Sequence, residues 1–441
     1  MSKTKIIYVC DNCGYESPKW FGKCPVCNEW NTAKELKLSN INKAGEESSR
    51  FFLLEEISEV EMFERLITRY SEINNLFGGG VVPGQVILLG GEPGVGKSTL
   101  ALQLCYELSR YGKVAYITGE ESAMQIALRA KRLKIENSGI YLSTENNIES
   151  VLTNLRKQEL TFVVFDSIQT LYSNKVDSAS GGVLQVRTVV DEVRKFSKDT
   201  GIASLLIAHV TKGGNIAGPK LVEHIVDTVI YFEGEKSTDL RVLRVLKNRF
   251  GPSGEIAIFS MSESGLKELK ERIFIEESPM PGNTITSLYE GSRPFLVQIQ
   301  SLVSRDKIAT ARRISHGIDV RKIIIMSAVI SKHLNLPVES HDVYANVSGG
   351  LKITDSACDL AIAASILSSF LNKYIGKFVI IGEVGLDGSI RNVHNIKKRI
   401  ENAIRSGYDK FIIPKKANVP GSESVIKLGN LKELLNYMID L

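Results

Sequence analysis

A phosphate-loop pattern at residues 91–98 constrains the fold of this chain more than any other feature. The segment reads GEPGVGKS and satisfies G-x-x-x-x-G-K-[ST] at every required position. The apolar run at 86–89 predicts a buried strand before it, and the amphipathic pattern at 98–112 predicts a helix after it. Glycines let main-chain N–H groups wrap a polyphosphate at a helix N-terminus. The segment therefore predicts a binding site for ATP or GTP.

The loop also predicts which side chains handle the nucleotide. Lys97 would reach the β- and γ-phosphates, and the Ser98 hydroxyl would hold Mg²⁺. An apolar run at 162–166 ends in Asp166, which we expect to be the second Mg²⁺ ligand. The residues expected around the nucleotide are Gly91, Glu92, Pro93, Gly94, Val95, Gly96, Lys97, Ser98 and Thr99.

The carboxylate that activates water has to come from another strand. Many P-loop ATPases place a glutamate directly after the Mg²⁺-binding aspartate, but Ser167 stands there in this chain. Glu120 and Glu121 follow the predicted strand at 114–118, where a carboxylate could orient water for attack on the γ-phosphate. The alternative is that one of them caps the helix that starts near Ser122.

Four cysteines near the N-terminus form two C-x₂-C pairs, Cys10 with Cys13 and Cys24 with Cys27. Four thiolates at this spacing predict a closed tetrahedral Zn²⁺ site, because so short a segment needs a metal to fold.

The chain has no apolar signal core and no apolar run of bilayer length, so we expect a cytoplasmic protein with no membrane partner. Disulfides are disfavoured in that compartment, and a redox C-x₂-C would need a βαβ context.

Aromatic and basic residues lie between and after these cysteine pairs. We expect Trp20, Phe21 and Trp30 to form the small core that covers the metal, since the module has little else to bury. The alternative is a basic and aromatic surface, with Lys19 and Lys23, that stacks on nucleic-acid bases.

Strand and helix patterns alternate beyond the cysteine module. The predicted strands lie at 86–89, 114–118, 162–166, 203–208, 228–232 and 241–246. This alternation favours an α/β domain with a largely parallel sheet. A polar stretch precedes that domain, and Pro279 and Pro281 follow it. The expected division is a zinc module at 1–35, a linker at 36–56, an ATPase domain at 57–271 and a second α/β domain at 272–441.

The run TGEESA at 118–123 places a glutamate on the strand after the phosphate-loop helix, which resembles the RecA/DnaB group of ATPases. That resemblance implies rings or filaments on single-stranded DNA with nucleotide between subunits, and it gives the catalytic role to Glu120. His209 falls where this group carries a polar sensor of the γ-phosphate. A structural role for the histidine is the alternative.

The run KNRFG at 247–251, the segment at 209–220 and the four cysteines together resemble the RadA (Sms) family of bacterial DNA-repair proteins. The resemblance implies a hexamer that drives branch migration of joints made by the RecA recombinase, acting on single-stranded and branched DNA. Lys247 and Arg249 could reach a neighbour's γ-phosphate, and a turn cap with solvated charge is the alternative. Lys212 and Lys220 lie in a basic, glycine-rich stretch that suits contact with a DNA backbone.

The last 170 or so residues resemble the proteolytic domain of Lon proteases. Ala357 stands where Lon carries its nucleophilic serine, whereas Lys397 matches the lysine of the Lon dyad. Ser356 is the neighbouring residue, but side chains at adjacent positions point in different directions. A lysine without a hydroxyl nucleophile in place cannot form an acyl-enzyme, so we expect no peptidase activity. The basic stretch at 303–322 makes Arg312 and Arg313 further candidates for DNA contact, with a solvated basic face as the alternative.

The expected fold class is therefore α/β, with a RecA-like P-loop ATPase core, an N-terminal zinc ribbon and a C-terminal Lon-protease-like domain. The expected function is a DNA-dependent ATPase that processes recombination intermediates, with ATP, Mg²⁺ and Zn²⁺ as cofactors. Two alternatives are a Lon-like ATP-dependent protease, which Ala357 disfavours, and an ATP switch that regulates partner proteins.

Overall fold

The computed structural model describes most of the chain. The described residues are 5–10, 15–38, 64–136, 139–209, 222–234, 239–269, 275, 279–291, 293–305, 311–419 and 424–440. Of the predicted linker at 36–56, only 36–38 lie within these ranges. Contacts divide the chain into two compact units, with the boundary between Glu268 and Leu269.

A small antiparallel sheet comes first in the chain. Its strands are β1 (Lys5–Cys10), β2 (Glu16–Ser17) and β3 (Ala33–Leu38), in the order β2-β1-β3. β1 ends at Cys10, and the second cysteine pair lies on the connection between β2 and β3. The sheet therefore brings the two ends of the cysteine module together.

The larger sheet of the first unit has nine strands. They are β4 (Val86–Gly91), β5 (Lys113–Thr118), β6 (Ile140–Ser143), β7 (Leu160–Asp166), β8 (Ala203–His209), β9 (Thr228–Gly234), β10 (Leu240–Asn248), β11 (Ile256–Ser262) and β12 (Gly265–Glu268). Their order is β12-β11-β10-β9-β4-β8-β7-β5-β6. The strands from β9 to β6 are parallel, and the other three extend the sheet in antiparallel fashion.

Helices accompany this sheet, and side chains on both faces of its parallel part are buried. The helices are α1 (Ser71–Leu76), α2 (Lys97–Leu108), α3 (Ala123–Arg132), α4 (Ile148–Leu155) and α5 (Val183–Thr200). Within β4, Ile87 and Leu89 pack in the cluster that includes α2, whereas Val86 and Leu88 pack in the cluster that includes α5. Burial on both faces explains the unbroken apolar runs that predicted these strands.

All six predicted strands are present, and each lies within β4, β5, β7, β8, β9 or β10. The sequence patterns did not predict β6, β11 and β12. β6 has only four residues, none of them buried, and the other two belong to the antiparallel extension. β6 and β12 lack long apolar runs, whereas β11 contains the buried run IAIF at 256–259, which the strand prediction did not include.

The described residues of the second unit include a seven-stranded mixed sheet and four α-helices. The strands are β13 (Asn283–Glu290), β14 (Arg293–Arg305), β15 (Arg313–His316), β16 (His341–Val347), β17 (Val379–Ile380), β20 (Phe411–Pro414) and β21 (Val425–Leu428), in the order β15-β16-β14-β13-β17-β20-β21. A separate pair consists of β18 (Glu383–Val384) and β19 (Ile390–Arg391). The helices are α6 (Val320–Leu334), α7 (Asp359–Leu371), α8 (Ile396–Arg405) and α9 (Leu431–Ile439).

The most apolar helix of the second unit, α7, lies in the interior. Ten consecutive residues from Asp359 to Ser368 are buried. Among the described residues, no helix combines the length and the apolar character that a membrane span requires.

Candidate functional site

The phosphate loop joins β4 to α2 and depends on its glycines. Gly94 and Gly96 have φ values of 80° and 115°, a left-handed conformation that residues with a Cβ atom rarely adopt. At Gly91, a Cβ atom would lie 2.5 Å from the main-chain oxygen of Phe232, so the two strands could not approach as they do. These positions therefore need glycine for backbone reasons.

Lys97 begins α2, and its side chain is buried. Its Nζ donates hydrogen bonds to the main-chain oxygens of Gly91, at 2.7 Å, and Glu92, at 3.0 Å. Burial lowers the pKa of Lys97 to about 8, while the carboxylates of Asp166 and Glu120 act in the opposite direction. The ammonium group therefore lies within the loop and near both carboxylates.

Asp166 ends β7 with a buried side chain that is only partly satisfied. Burial raises the pKa of Asp166, and hydrogen bonds with the hydroxyls of Tyr116 and Ser98 oppose that shift. Tyr116 donates to Oδ2, whereas Oδ1 has no recorded hydrogen-bond partner within the described ranges. A buried carboxylate oxygen without a partner is costly unless a ligand satisfies it. The donor set of Asp166 and Ser98 therefore fits a Mg²⁺ ion. The sequence patterns did not predict the contact from Tyr116.

Glu120 receives two hydrogen bonds on the same oxygen. Its Oε1 lies 2.5 Å from the Ser167 hydroxyl and 2.8 Å from His209 Nε2. An ionised carboxylate only accepts, so both neighbours donate to it. Ser167 follows β7 and His209 ends β8, and these strands are neighbours in the sheet. The positioning role of Ser167 was missed, because the sequence showed only that a glutamate was absent there.

Glu121 has a different environment from Glu120. Its carboxylate forms an ion pair with Arg129, with 2.7 Å between Oε1 and Nη2. Ser122 is the N-cap of α3 and shares a capping box with Gln125. The side chain that caps this helix is therefore Ser122, and neither glutamate takes that place.

Lys247 and Arg249 both have partners within the chain. Lys247 Nζ donates to the main-chain oxygens of Glu223, at 2.8 Å, and Val226, also at 2.8 Å, which is the turn cap considered as an alternative. Arg249 lies 3.2 Å from Asp227, and its side chain stays 52% exposed. Arg249 is therefore the more accessible of the two cations.

Three of the four cysteines come together. The sulfur atoms of Cys10, Cys24 and Cys27 all lie within 4.8 Å of one another, and Cys13 lies outside the described residues. The Cys10 and Cys27 sulfurs are 3.6 Å apart. Tetrahedral zinc–thiolate geometry requires a separation of about 3.8 Å between sulfurs. The cluster therefore fits a zinc ion.

The prediction that aromatic side chains cover this cluster is wrong for both tryptophans. Trp20 is 62% exposed and Trp30 is 67% exposed, whereas Phe21 packs edge-to-face on Tyr15. Cys10 and Cys24 are already fully buried by the surrounding chain, so the indoles are not needed to shield them.

The candidate DNA contacts differ from one another. Lys212 and Lys220 lie outside the described residues. Arg313 donates to the main-chain oxygens of His341, at 2.8 Å, and Glu339, at 2.9 Å, so its guanidinium supports the local chain path. Arg312 is exposed; its main-chain nitrogen donates to Asp342, and its main-chain oxygen accepts from the Val343 nitrogen and the Arg313 guanidinium.

In the second unit, Ala357 occupies the position that the Lon resemblance assigns to the nucleophile. Ala357 is 1% exposed and lies in a 3-10 turn that Asp355 caps. Ser356 is exposed, as is Lys397 on α8. The neighbouring Cys358 thiol is fully buried, and burial raises its pKa to about 12, so it is protonated at neutral pH.

Two ion pairs that the sequence patterns did not predict flank this segment. Arg399 is almost fully buried, and its Nη2 lies 2.7 Å from Asp355 Oδ2. Lys322 on α6 lies 2.6 Å from Asp359 at the start of α7. Burial raises the pKa of Asp359, and the hydrogen bond from Lys322 opposes that shift. These pairs connect the segment around Ala357 to α6 and α8.

Known proteins are similar to the chain over nearly its whole length. It is 43% identical over 424 residues to the DNA repair protein RadA of Aquifex aeolicus (strain VF5), covering 95% of each chain. It is 42% identical over 453 residues to the DNA repair protein RadA of Bacillus subtilis (strain 168), covering 99% of each. The chain belongs to the RadA family of DNA repair proteins.

Three family descriptions match parts of this RadA-family chain. They are an AAA domain at 54–215, a rubredoxin metal binding domain at 8–35 and subunit ChlI of Mg-chelatase at 316–417. Among solved structures, a DnaB-like replicative helicase is 14% identical with a TM-score of 0.42, covering 49% of this chain and 65% of that one. The expected α/β fold class is confirmed: a largely parallel sheet carries the phosphate loop of the matched AAA domain, with the metal-binding match before it and the ChlI match after it. The domain matches and clustered cysteines indicate ATP and zinc as ligands.

We predict that Arg399→Met strongly destabilises the second unit. The change leaves the Asp355 carboxylate partly buried without its cation, which costs about 3–5 kcal/mol. Thermal unfolding measures the loss. The matched control is Arg391→Met, which removes an exposed arginine that pairs with Glu383 and Asp387 and should change the melting temperature little. Equal, small shifts for both variants would contradict a structural role for the Arg399 pair.

Proposed function

We propose that this RadA-family chain hydrolyses ATP through Glu120 and uses the energy to process DNA recombination intermediates. The observation that carries the proposal is the environment of the Glu120 carboxylate. Ser167 and His209 hold its Oε1, and no hydrogen bond to its Oε2 is recorded for the described residues. A carboxylate fixed on one side can accept a proton from water on the other.

The phosphate loop supports the binding half of this proposal. Main-chain N–H groups within residues 91–99, other than at Pro93, would bind the phosphates. Lys97 would exchange its bonds to loop carbonyls for bonds to phosphate oxygens. Ser98 and Asp166 would hold Mg²⁺, which when bound neutralises charge on the phosphates. Cys10, Cys13, Cys24 and Cys27 would hold the structural zinc ion.

DNA is the proposed substrate, because the relatives are named as DNA repair proteins. We propose that the chain binds single-stranded and branched DNA. Lys212, Lys220 and Arg312 would contact the DNA backbone, and Arg313 would hold the chain segment that carries Arg312. The proposed assembly is a hexamer that extends joints made by the RecA recombinase. In that ring Arg249, assisted by Lys247, would act on a neighbour's nucleotide, and its 52% exposure supports this role.

The remaining proposals concern the domain boundaries, the activity of the second unit and the cellular location. We assign 1–35 to the zinc module, 36–56 to a linker, 57–271 to the ATPase domain and 272–441 to a Lon-like domain. The alanine at position 357 and the buried, protonated thiol of Cys358 support a domain without peptidase activity. We propose a cytoplasmic location, because a protein that repairs bacterial chromosomal DNA must reach it there.

The two adjacent glutamates provide a direct test of the catalytic assignment. Glu120→Gln should lower the ATP turnover rate at least about 100-fold while ATP still binds, because the amide cannot accept the proton of water. Phosphate release measures turnover, and a fluorescent ATP analogue measures binding. The matched control, Glu121→Gln, loses only the Arg129 ion pair and should turn over near the wild-type rate. If Glu121→Gln were the inactive variant, the catalytic role would belong to Glu121.

The motor function predicts movement of DNA joints. With ATP, the wild-type chain should extend joint molecules formed by a RecA recombinase, whereas Lys97→Ala should leave them unchanged because it cannot bind phosphate productively. Gel separation of labelled joints over time measures extension, and native mass measurement gives the number of subunits. Hydrolysis of ATP without any extension of joints would contradict the motor and would favour an ATP switch.

A further inference from the structure

The zinc module presents two large indole rings to solvent. Trp20 and Trp30 are more than 60% exposed, although side chains of this size usually dominate the buried area of a small module. They are flanked by Lys19 and Lys23, and we call these four residues the indole surface. Exposed aromatics of this kind mark a binding surface when they cluster.

Local geometry brings the two indoles together. Residues 22–31 form a tight hairpin in which Lys23 pairs with Trp30 and the Asn31 nitrogen donates to the Gly22 oxygen. A Cβ atom added at Gly22 would lie 3.3 Å from the Trp20 ring and 3.9 Å from the Trp30 ring. Both rings therefore border the same point of the hairpin, and glycine keeps that point open.

Lysine residues lie close to the two indole rings. Lys23 Nζ lies 5.8 Å from the centre of the Trp30 ring, within the range of a cation–π contact. Lys19 is exposed and directly precedes Trp20 in the chain. Glu29 is the exposed acidic residue within the hairpin, so the charge around the rings is mainly positive.

We propose that the indole surface binds single-stranded DNA, with bases stacked on Trp20 and Trp30 and phosphates near Lys19 and Lys23. Aromatic rings bind any base through its flat face, and lysines supply the attraction to the backbone. The hairpin also exposes the smaller apolar side chain of Val26, but the two lysines that flank the rings are of a type depleted in protein–protein interfaces. The mainly basic flanks favour the nucleic acid. The inference deepens the proposed function and rests on it, since it assumes that the chain acts on DNA.

The sequence makes this surface unusually easy to observe. The whole chain has two tryptophans, and both belong to the indole surface. Intrinsic tryptophan fluorescence of the full-length, zinc-loaded protein therefore reports on this surface alone. Anisotropy of a labelled oligothymidine, followed under the same conditions, reports on DNA binding anywhere on the protein.

The expected result is that tryptophan fluorescence falls, and its quenching by acrylamide weakens, in step with the rise in anisotropy. Trp20→Ala and Trp30→Ala should each weaken oligothymidine binding about tenfold, a typical loss for one stacked base. Zinc content of each variant shows that the module still folds. The matched control is Tyr141→Ala, which removes an exposed ring with Lys113 at the same 5.8 Å and should leave the affinity unchanged.

Two other outcomes have separate meanings. If anisotropy rises while tryptophan fluorescence and the affinities of both variants stay unchanged, the indole surface does not bind DNA and the inference is overturned. The DNA-binding part of the proposed function then stands, and a protein partner becomes the occupant to test. If anisotropy does not rise at all, the proposed function itself fails and the inference fails with it.

Discussion

Parallel strands that lie side by side end at the same edge of their sheet, and the nucleotide site depends on this constraint. In the first unit β4, β8, β7 and β5 are neighbours, so the phosphate loop, His209, Asp166 and Glu120 all follow strands at one edge. Residues far apart in the chain thereby come within hydrogen-bond distance. Apolar packing on both faces of the sheet fixes the strand order, and the chemistry at the edge follows from that packing.

Buried charged side chains differ in their hydrogen bonding between the two units. In the ATPase unit, Asp166 keeps one buried oxygen without a recorded partner in the described structure, a feature that suits a ligand. In the second unit, every nitrogen of the Arg399 guanidinium donates to a chain oxygen, including a carboxylate oxygen of Asp355. A satisfied network of this kind stabilises a joint between elements and leaves no group available for chemistry. The Asp166 oxygen can therefore still accept a ligand, whereas the Arg399 guanidinium is satisfied within the chain.

Motifs with a fixed backbone requirement could be predicted from the sequence, and tertiary contacts could not. The phosphate loop, the clustered cysteines and the six predicted strands have local signatures in glycine, cysteine or clustered apolar residues. The roles of Ser167 and Tyr116 depend on which strands become neighbours, and local sequence patterns do not reveal that order. Trp20 and Trp30 were misjudged for a related reason, because the cysteines are already buried without them.

The central claim is that this ATPase acts on DNA, and the most direct test is the ATP turnover rate with and without single-stranded DNA. If the proposed function holds, contact with DNA should order the catalytic edge of the sheet, so we predict that a saturating oligonucleotide raises the rate several-fold in the wild type. Lys97→Ala should show no activity under either condition. An unchanged rate with oligonucleotide demonstrably bound would contradict the claim and would favour a switch that regulates other proteins.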